Sequence, residues 1–303
     1  MQIRQIPNTE INVSTICLGT MTFGTPVAEA DAIKLTHAAI DLGINFIDTA
    51  NMYEGYARSA GSPGGVAEGI LSKALADKRD KVILATKVGN KVGPELEDDG
   101  TSPTGIRKQL DLSLKRLATN CVDIYYLHKP DVYNSPLVEI IGALEQAISA
   151  GKIRYYGVSN YSAEQLAALL KAADENGLPR PVIHQPPYSL LKPDVAKDLL
   201  PLCAKEGIAA APYQILQGGL LTGKYCRGQE PPADSRKAES TWLDFVTEET
   251  FDQIEQIEAA AKDQGRSLME NAVKSTLALP AVVSVVVGAK RAVQIEKLVA
   301  MVE

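Results

Sequence analysis

The sequence has few cysteines and histidines. The four cysteines lie at positions 17, 121, 203 and 226 without a Cys-x-x-Cys pair, and the three histidines are also far apart. Cysteines used so sparingly are typical of a reducing compartment and not of a disulfide scaffold, so we expect a cytoplasmic protein. Because neither residue type recurs at ligand spacing, we predict no metal site.

Long apolar runs and an excess of positive charge are also missing. No run approaches the roughly 20 apolar residues of a membrane span, and the first thirty residues do not resemble a signal peptide. The formal net charge of −6 offers no attraction to nucleic acid or to an anionic membrane. We therefore expect a small-molecule partner, and the sequence gives no indication of oligomeric state.

The chain does have a regular alternation of short apolar runs and segments with helical spacing. Eight apolar runs, each followed by an amphipathic segment, in 303 residues predict a single-domain α/β fold, a (β/α)8 TIM barrel, over an open doubly wound sheet. Ser162 and Gln165 predict a capping box at one helix start, and residues 223–244 predict a long loop after the seventh strand. The eight runs cover residues 14–20, 44–48, 82–88, 122–128, 154–160, 182–187, 208–213 and 282–288.

Side chains with acid–base chemistry stand at or near the ends of these runs. Asp48 ends the second run and Tyr53 follows it, Lys87 lies near the end of the third, and His128 ends the fourth. Each alone suits an ordinary turn, rim or strand-end role. Because the carboxyl ends of barrel strands share one mouth, we predict that all four lie together.

These four residue types together suit proton transfer to a carbonyl oxygen. An ammonium group stabilises a nearby phenolate, a carboxylate keeps the ammonium group charged, and an imidazole can orient a carbonyl group. Since no protein side chain supplies hydride, a nicotinamide cofactor is implied.

Two glycine-rich stretches match phosphate-binding motifs only in part. GGLLTGK (218–224) has P-loop spacing, but Tyr225 stands where a P-loop needs Ser or Thr for magnesium. GSPGG (61–65) lacks the G-x-G-x-x-G spacing of a Rossmann fold. We predict no nucleotide hydrolase, and we interpret residues 61–65 as part of a flexible substrate loop.

Several stretches resemble, in order and spacing, those of the aldo-keto reductase family over nearly the whole chain. They are LGTMTFG (18–24), FIDTANMY (46–53), ILATKVG (83–89), VDIYYLHKPD (122–131), GKIRYYGVSNYSAEQL (151–166), GLLTGKY (219–225) and VVVGAKRAVQIE (285–296). The resemblance implies the same barrel and an NADP(H)-dependent oxidoreductase that interconverts an aldehyde, ketone or sugar-like carbonyl and an alcohol. It also implies that Tyr53 is the general acid, that Lys87 lowers its pKa, that Asp48 pairs with Lys87, and that His128 orients the carbonyl.

The resemblance further implies a site for the nicotinamide. Ser159, Asn160 and Gln185 would hold its carboxamide group, and Tyr213 would stack on its ring. Residues expected to line the same pocket are Thr20, Met21 and Asp48.

The phosphate groups would meet basic residues. Lys224 and Arg236 would bind the pyrophosphate, and Lys290, assisted by Arg291, would bind a 2′-phosphate, which favours NADP(H) over the alternative NAD(H). Other residues expected near this part of the cofactor are Gln214, Leu216, Gly288 and Gln294.

The chain departs from the family pattern in the loops that would select the substrate. The stretch 54–67 is longer than usual, and Trp242 in the 223–244 loop could cover the substrate or anchor the loop. The substrate and reaction direction are therefore not predicted. Two other functions stay open: a nucleotide-sensing regulatory subunit, as in channel β subunits that resemble the family, and an epimerase that retains its cofactor. We expect His184 to be structural and assign His37 no role.

Overall fold

The computed structural model describes residues 1–56, 58–59, 61–239 and 246–302, so Trp242 lies outside the described residues. Within these residues the eight predicted strands are all present as one parallel sheet. They are β3 (Ile16–Gly19), β4 (Phe46–Asp48), β5 (Ile83–Val88), β6 (Val122–Leu127), β7 (Ile153–Ser159), β8 (Ile183–Gln185), β9 (Ala209–Ala210) and β10 (Val285–Gly288). A hairpin of β1 (Ile3–Gln5) and β2 (Asn12–Ser14) precedes them.

The sheet closes into a barrel. Each strand pairs with the next along the chain, and β10 returns to pair with β3. Between β9 and β10, two isolated parallel bridges, Ala210 with Val282 and Tyr213 with Val286, complete the circle. The predicted (β/α)8 architecture is therefore confirmed.

Helices follow the strands and cover the outside of the barrel. Two begin where sequence signals place them: Ser102 accepts the Gly105 N–H before a proline at the first helical turn, and Ser162 forms the predicted capping box with Gln165. The helices are α1 (Glu29–Asp41), α2 (Val66–Ala74), α3 (Pro103–Leu117), α4 (Leu137–Ser149), α5 (Ala163–Glu175), α6 (Leu199–Glu206), α7 (Arg236–Glu239), α8 (Glu248–Asp263), α9 (Leu268–Leu277) and α10 (Ala292–Val302). None of these described helices is both long and apolar enough to cross a bilayer.

Two apolar layers hold the barrel. The outer layer joins strands and helices, with Leu18, Ile47 and Leu84 among its fully or almost fully buried members. The inner layer fills the barrel and includes Cys17 and Phe46. Alternation of successive side chains across each strand produces both layers.

The β1–β2 hairpin closes the amino-terminal end of the barrel, a feature that the sequence did not predict. Its Ile11 and Val13 are buried in the inner apolar cluster. Asn45, just before β4, accepts the N–H of Ser14 at 2.7 Å. The carboxyl ends of the strands therefore form the opposite, open end.

The connection after β9 matches the predicted long loop only in part. It contains a 3-10 segment at Gln217–Thr222 and the short helix α7 before α8 begins at Glu248. The GGLLTGK stretch therefore does not enter a P-loop helix. The other described 3-10 turns are Arg79–Lys81, Leu96–Asp98 and Asp194–Ala196.

Candidate active site

The barrel strands bring the four predicted acid–base residues to one mouth. Asp48 ends β4, Lys87 is the penultimate residue of β5, and His128 follows β6. Tyr53 lies on the loop after β4, where its N–H donates to the Ala50 carbonyl at 3.1 Å. Asp48 and Lys87 are buried, whereas Tyr53 and His128 are partly exposed.

Lys87 is the centre of this arrangement. Its ammonium group donates to an Asp48 carboxylate oxygen, to the Thr49 carbonyl at 2.9 Å and to the Tyr53 hydroxyl at 3.2 Å. The second Asp48 oxygen accepts the Gln185 side-chain N–H at 2.8 Å. A fully buried lysine needs such partners, because an isolated buried charge is strongly unfavourable.

The environment keeps the Tyr53 phenol protonated at neutral pH. Burial raises the pKa of Tyr53 above its ordinary value, and Lys87 opposes this rise but does not outweigh it. For Lys87 burial lowers the pKa, but Asp48 and Tyr53 more than compensate, so its pKa is raised. The effect of Lys87 on Tyr53 has the expected direction, and the net result is a phenol that carries its proton beside a charged ammonium group.

His128 is a neutral imidazole beside the phenol. Its ring centroid lies 6.0 Å from that of Tyr53, with the rings at 81°. Burial, then Lys87, Lys129 and Arg58, lowers the pKa of His128 well below its usual value. Its Nδ1 is buried without a hydrogen-bond partner among the described residues. A neutral ring can still donate one N–H to a carbonyl oxygen.

The residues expected at the nicotinamide form a connected polar network. Ser159 donates to the Gln185 carbonyl at 2.7 Å, and Asn160 donates to the His128 carbonyl at 2.8 Å and accepts the Tyr213 hydroxyl at 2.7 Å. The network therefore links the ends of β6, β7, β8 and β9 beside Asp48. Thr20 adjoins this network, because its hydroxyl donates to the Asp48 carbonyl at 3.0 Å. Met21, the next residue, is partly exposed.

The loop after β9 has the backbone expected of an anion-binding segment. Gln214, Gln217, Gly218 and Gly219 all have positive φ angles, a conformation that can turn N–H groups toward an anion. Leu216 precedes the 3-10 segment. The φ angle of 99° at Gly219 favours glycine, and a Cβ there would lie 2.7 Å from the Lys224 Cε, so the end of that lysine would have to move.

The residues expected near the 2′-phosphate run from the end of β10 to the first turn of α10. Gly288 ends β10, and the Gln294 side chain accepts the backbone N–H groups of Lys290 and Arg291 at 2.7 and 3.1 Å. The Lys290 side chain donates to the Asp234 carbonyl at 2.8 Å, and Arg291 pairs with the Asp234 carboxylate at 3.1 Å. This contact joins the loop after β9 to the end of the barrel.

Arg236, the other predicted phosphate ligand, lies on α7. Its guanidinium carbon is 5.0 Å from the Tyr56 ring centroid, over the loop that carries the phenol. Basic groups thus stand on two of the loops around the mouth, those after β9 and β10, which is a donor set that suits a dinucleotide with phosphate groups. Among the described residues no three Cys, His, Asp or Glu side chains group as metal ligands.

Arg58, which joins two loops at the mouth through hydrogen bonds, was not among the residues predicted from the sequence. Its guanidinium group donates to the Met52 carbonyl at 2.8 Å and to the Lys91 carbonyl. The signal was an Arg four residues after Glu54 within the lengthened loop.

Comparisons with known proteins agree with this geometry. Residues 15–303 match the sequence model of the Aldo/keto reductase family. "Protein tas" of Escherichia coli (strain K12) is 34% identical, covering 95% of this chain and 89% of that protein. The L-glyceraldehyde 3-phosphate reductase of the same organism is 33% identical, covering 98% and 86%. A probable voltage-gated potassium channel subunit beta of Arabidopsis thaliana is 31% identical, covering 98% and 90%.

A solved structure shows the same fold. The glycerol dehydrogenase AKR11B4 from Gluconobacter oxydans superposes with a TM-score of 0.80 at 29% sequence identity, covering 99% of this chain and 90% of that one.

Proposed function

The chain belongs to the aldo/keto reductase family, and on that premise we propose that it is an NADP(H)-dependent oxidoreductase that interconverts a carbonyl compound and an alcohol. The observation that carries the proposal is the bonded series Asp48–Lys87–Tyr53 beside the neutral His128. The bound nicotinamide supplies or accepts the hydride.

The side chains of the mouth manage the proton. In the reducing direction the Tyr53 hydroxyl gives its proton to the carbonyl oxygen, and the Lys87 ammonium at 3.2 Å stabilises the phenolate that forms. Asp48 keeps Lys87 charged and in place. His128 donates a hydrogen bond that orients the carbonyl. In the reverse direction the phenolate accepts the alcohol proton through the same groups.

The basic residues around the mouth support NADP(H) as the cofactor. Lys290 and Arg291 are consecutive residues immediately before α10, and their backbone N–H groups donate to the Gln294 side chain. Two cationic side chains at one position suit a 2′-phosphate, which NAD(H) lacks. Ser159, Asn160 and Gln185 would hold the carboxamide beside the Tyr213 ring.

The names of relatives support a small, polar carbonyl substrate. Besides the L-glyceraldehyde 3-phosphate reductase, a 6-dehydroglucose reductase of Novosphingobium aromaticivorans is 33% identical over 96% of this chain. The likeness to a channel β subunit favours a second candidate, a nucleotide-sensing regulatory subunit with slow turnover. The same acid–base set serves both functions, so turnover decides between them.

The cofactor assignment is tested by titrating NADPH and NADH into the purified protein and following nucleotide fluorescence. We expect NADPH to bind more tightly and Lys290→Ala to weaken NADPH binding by about tenfold, the effect of one charge-assisted contact, while leaving NADH unaffected. Lys171→Ala, which changes a lysine on the exposed face of α5, is the matched control. Equal affinities for both nucleotides in wild type would contradict the assignment to NADP(H).

The catalytic assignment is tested by replacing Tyr53 with Phe. We expect kcat for NADPH-dependent reduction of a panel of aldehydes and sugar-like carbonyls to fall by a factor on the order of 10² to 10⁴, because the proton donor is lost. The dissociation constant of NADPH should stay unchanged. Full activity in Tyr53→Phe would refute the role of Tyr53, whereas tight NADPH binding without turnover in wild type would support the regulatory subunit.

A further inference from the structure

The loop 54–65 directly follows the proposed proton donor, Tyr53. At two of its glycines the neighbouring backbone leaves no space for a side chain. A Cβ on Gly55 would lie 2.0 Å from the Thr25 carbonyl oxygen, and one on Gly64 would lie 2.1 Å from the Asn51 carbonyl oxygen. Both glycines have positive φ angles, 73° and 69°, which other residues adopt at a cost. The two ends of the loop are therefore held against neighbouring backbone.

Arg58 holds the middle of this loop to the segment of Tyr53. Its guanidinium group donates to the carbonyl of Met52, the residue before Tyr53, at 2.8 Å. It also donates to the carbonyl of Lys91, on the loop after β5. One side chain, only 17% exposed, thus joins two loops that border the mouth.

Glu54, the residue after Tyr53, completes the arrangement. Its carboxylate accepts the Gly64 N–H at 2.8 Å and the Ser62 hydroxyl, and it lies 3.8 Å from the Arg58 guanidinium. Its side chain is 14% exposed. The residues before and after Tyr53 are therefore both attached, directly or through a carboxylate, to the same guanidinium group.

The pair also balances the charge on the residue that follows Tyr53. With Arg58 present, the negative charge of Glu54 beside Tyr53 has a cationic partner. Without Arg58, a mostly buried carboxylate without a cationic partner would follow Tyr53 in the chain, and a nearby like charge disfavours formation of a phenolate. Arg58 also lies close enough to lower the pKa of His128.

We propose that Arg58, through Glu54 and the Met52 carbonyl, is a positioning residue that fixes Tyr53 for proton transfer. The kinetic part of this inference rests on the proposed carbonyl reduction. Arg58 touches no reacting atom in this assignment. It acts by setting the place of the phenol and by balancing the charge next to it, and small displacements of a catalytic group are known to cost large factors in rate.

The experiment compares Arg58→Met, Arg58→Lys, Glu54→Gln and the double variant Glu54→Gln/Arg58→Met, with Arg107→Met as control. Arg107 is an exposed arginine on α3 whose side chain has a single long hydrogen bond, 3.4 Å to Gln146. Each protein is assayed for NADPH binding, thermal midpoint, and kcat and KM with benzaldehyde and 4-carboxybenzaldehyde as neutral and anionic probes.

We expect Arg58→Met to lower kcat by at least about tenfold for both aldehydes, with NADPH affinity within about twofold of wild type. The pH profile of kcat should shift as the phenol becomes harder to ionise, and added guanidinium should restore part of the rate. The double variant should lose less than the product of the two single losses, because the two residues act as one unit. Arg107→Met should behave as wild type.

Three results would overturn the inference. Wild-type kcat in Arg58→Met would show that the contacts are not needed. A rise in KM for 4-carboxybenzaldehyde alone would make Arg58 a direct contact for anionic substrates. A loss of kcat without guanidinium rescue, in parallel with a lower thermal midpoint and weaker NADPH binding, would show a merely structural role.

A readout without turnover separates this inference from the proposed function. In protein labelled with [13Cζ]tyrosine, the Tyr53 signal is assigned by its absence in Tyr53→Phe. We expect that signal to shift in Arg58→Met and to return toward its wild-type position when guanidinium is added. An unchanged signal would refute the positioning role, whether or not wild type reduces carbonyls.

Discussion

Single residues near the mouth divide into those with a proposed chemical role and those that only support the structure, and His184 belongs to the second group. It alternates with Gln185 on β8, so when Gln185 meets Asp48 the histidine turns away. Its Nε2 lies 3.1 Å from the Tyr161 carbonyl, and burial lowers its pKa to about 4. The structural role expected for His184 is consistent with these contacts.

The depressed pKa of His184 predicts a loss of stability in acid. An unfolded histidine titrates near 6.5, so below that pH the unfolded chain binds a proton that the folded protein does not bind until about pH 4. The free energy of unfolding should therefore fall by about 2 to 3 kcal/mol between pH 7.5 and 4.5 from this group. Urea unfolding at the two pH values measures it.

His184→Gln is the matched comparison, because it keeps a polar side chain but cannot titrate. We expect its stability to fall less over the same pH interval than that of wild type. The difference between the two changes in unfolding free energy with pH gives the contribution of His184. It excludes that of His128, whose pKa is also lowered and which is present in both proteins. Equal changes would show that another group causes the acid sensitivity.

Among single residues, the sequence predicted candidate site residues where they stand at or just after the ends of the apolar strands. Asp48, Lys87 and His128 could be predicted because they stand at strand ends, and Tyr53 because it follows one. The part played by Arg58 could not be predicted in this way, since its partners are the carbonyl groups of Met52 and Lys91, and a carbonyl group leaves no signal in the side-chain pattern.

Among the helices and strands, the element after β7 shows how a local signal sets a boundary beside the site. The Ser162 hydroxyl accepts the Gln165 N–H at 3.1 Å, and the Gln165 side chain accepts the Ser162 N–H at 2.9 Å. The N-cap Ser162 lies two residues after Asn160 and α5 begins at Ala163, so the cap also fixes the chain beside the polar network of Ser159 and Asn160.

Removing the cap should destabilise the protein by a small, defined amount. We expect Ser162→Ala to lower the free energy of unfolding by about 1 kcal/mol, because an N–H of the first turn loses its partner. Ser162→Thr, which keeps a hydroxyl group, should lose less. Urea unfolding at neutral pH measures both, and identical midpoints for Ser162→Ala and wild type would contradict the capping role.

Short elements outside the repeating strand–helix pattern were the ones that the sequence did not predict. Strands β1 and β2 have three residues each and α7 has four, which is too few to show a repeated apolar pattern of their own. Their positions depend on tertiary contacts, such as Ile11 in the barrel interior or Arg4 on the Leu277 and Val282 carbonyls at 2.8 and 2.7 Å.

At the scale of the whole molecule, the eightfold alternation was sufficient to predict the architecture, because apolar strands covered on both sides have few alternatives. The charge is distributed unevenly. The protein has a net charge of −6, yet Lys224, Arg236, Lys290 and Arg291 are set around the mouth. An anionic dinucleotide would thus meet a cationic rim on an acidic protein.

The closure between β9 and β10 has a consequence for motion. Pro212 has no N–H, so this side of the barrel is joined by few backbone hydrogen bonds: from Ala210 to the Ala281 carbonyl, from Val283 to the Ala210 carbonyl, and from Val286 to the Pro212 carbonyl. The hydrogen bonds between β9 and β10 can therefore open locally while the rest of the protein stays folded. We expect the amides of Ala210, Val283 and Val286 to exchange with deuterium faster than those of β5 and β6, and NADPH to slow them. Uniform protection around the barrel would contradict this. The line along which the barrel opens most easily would then run beside the proposed cofactor site.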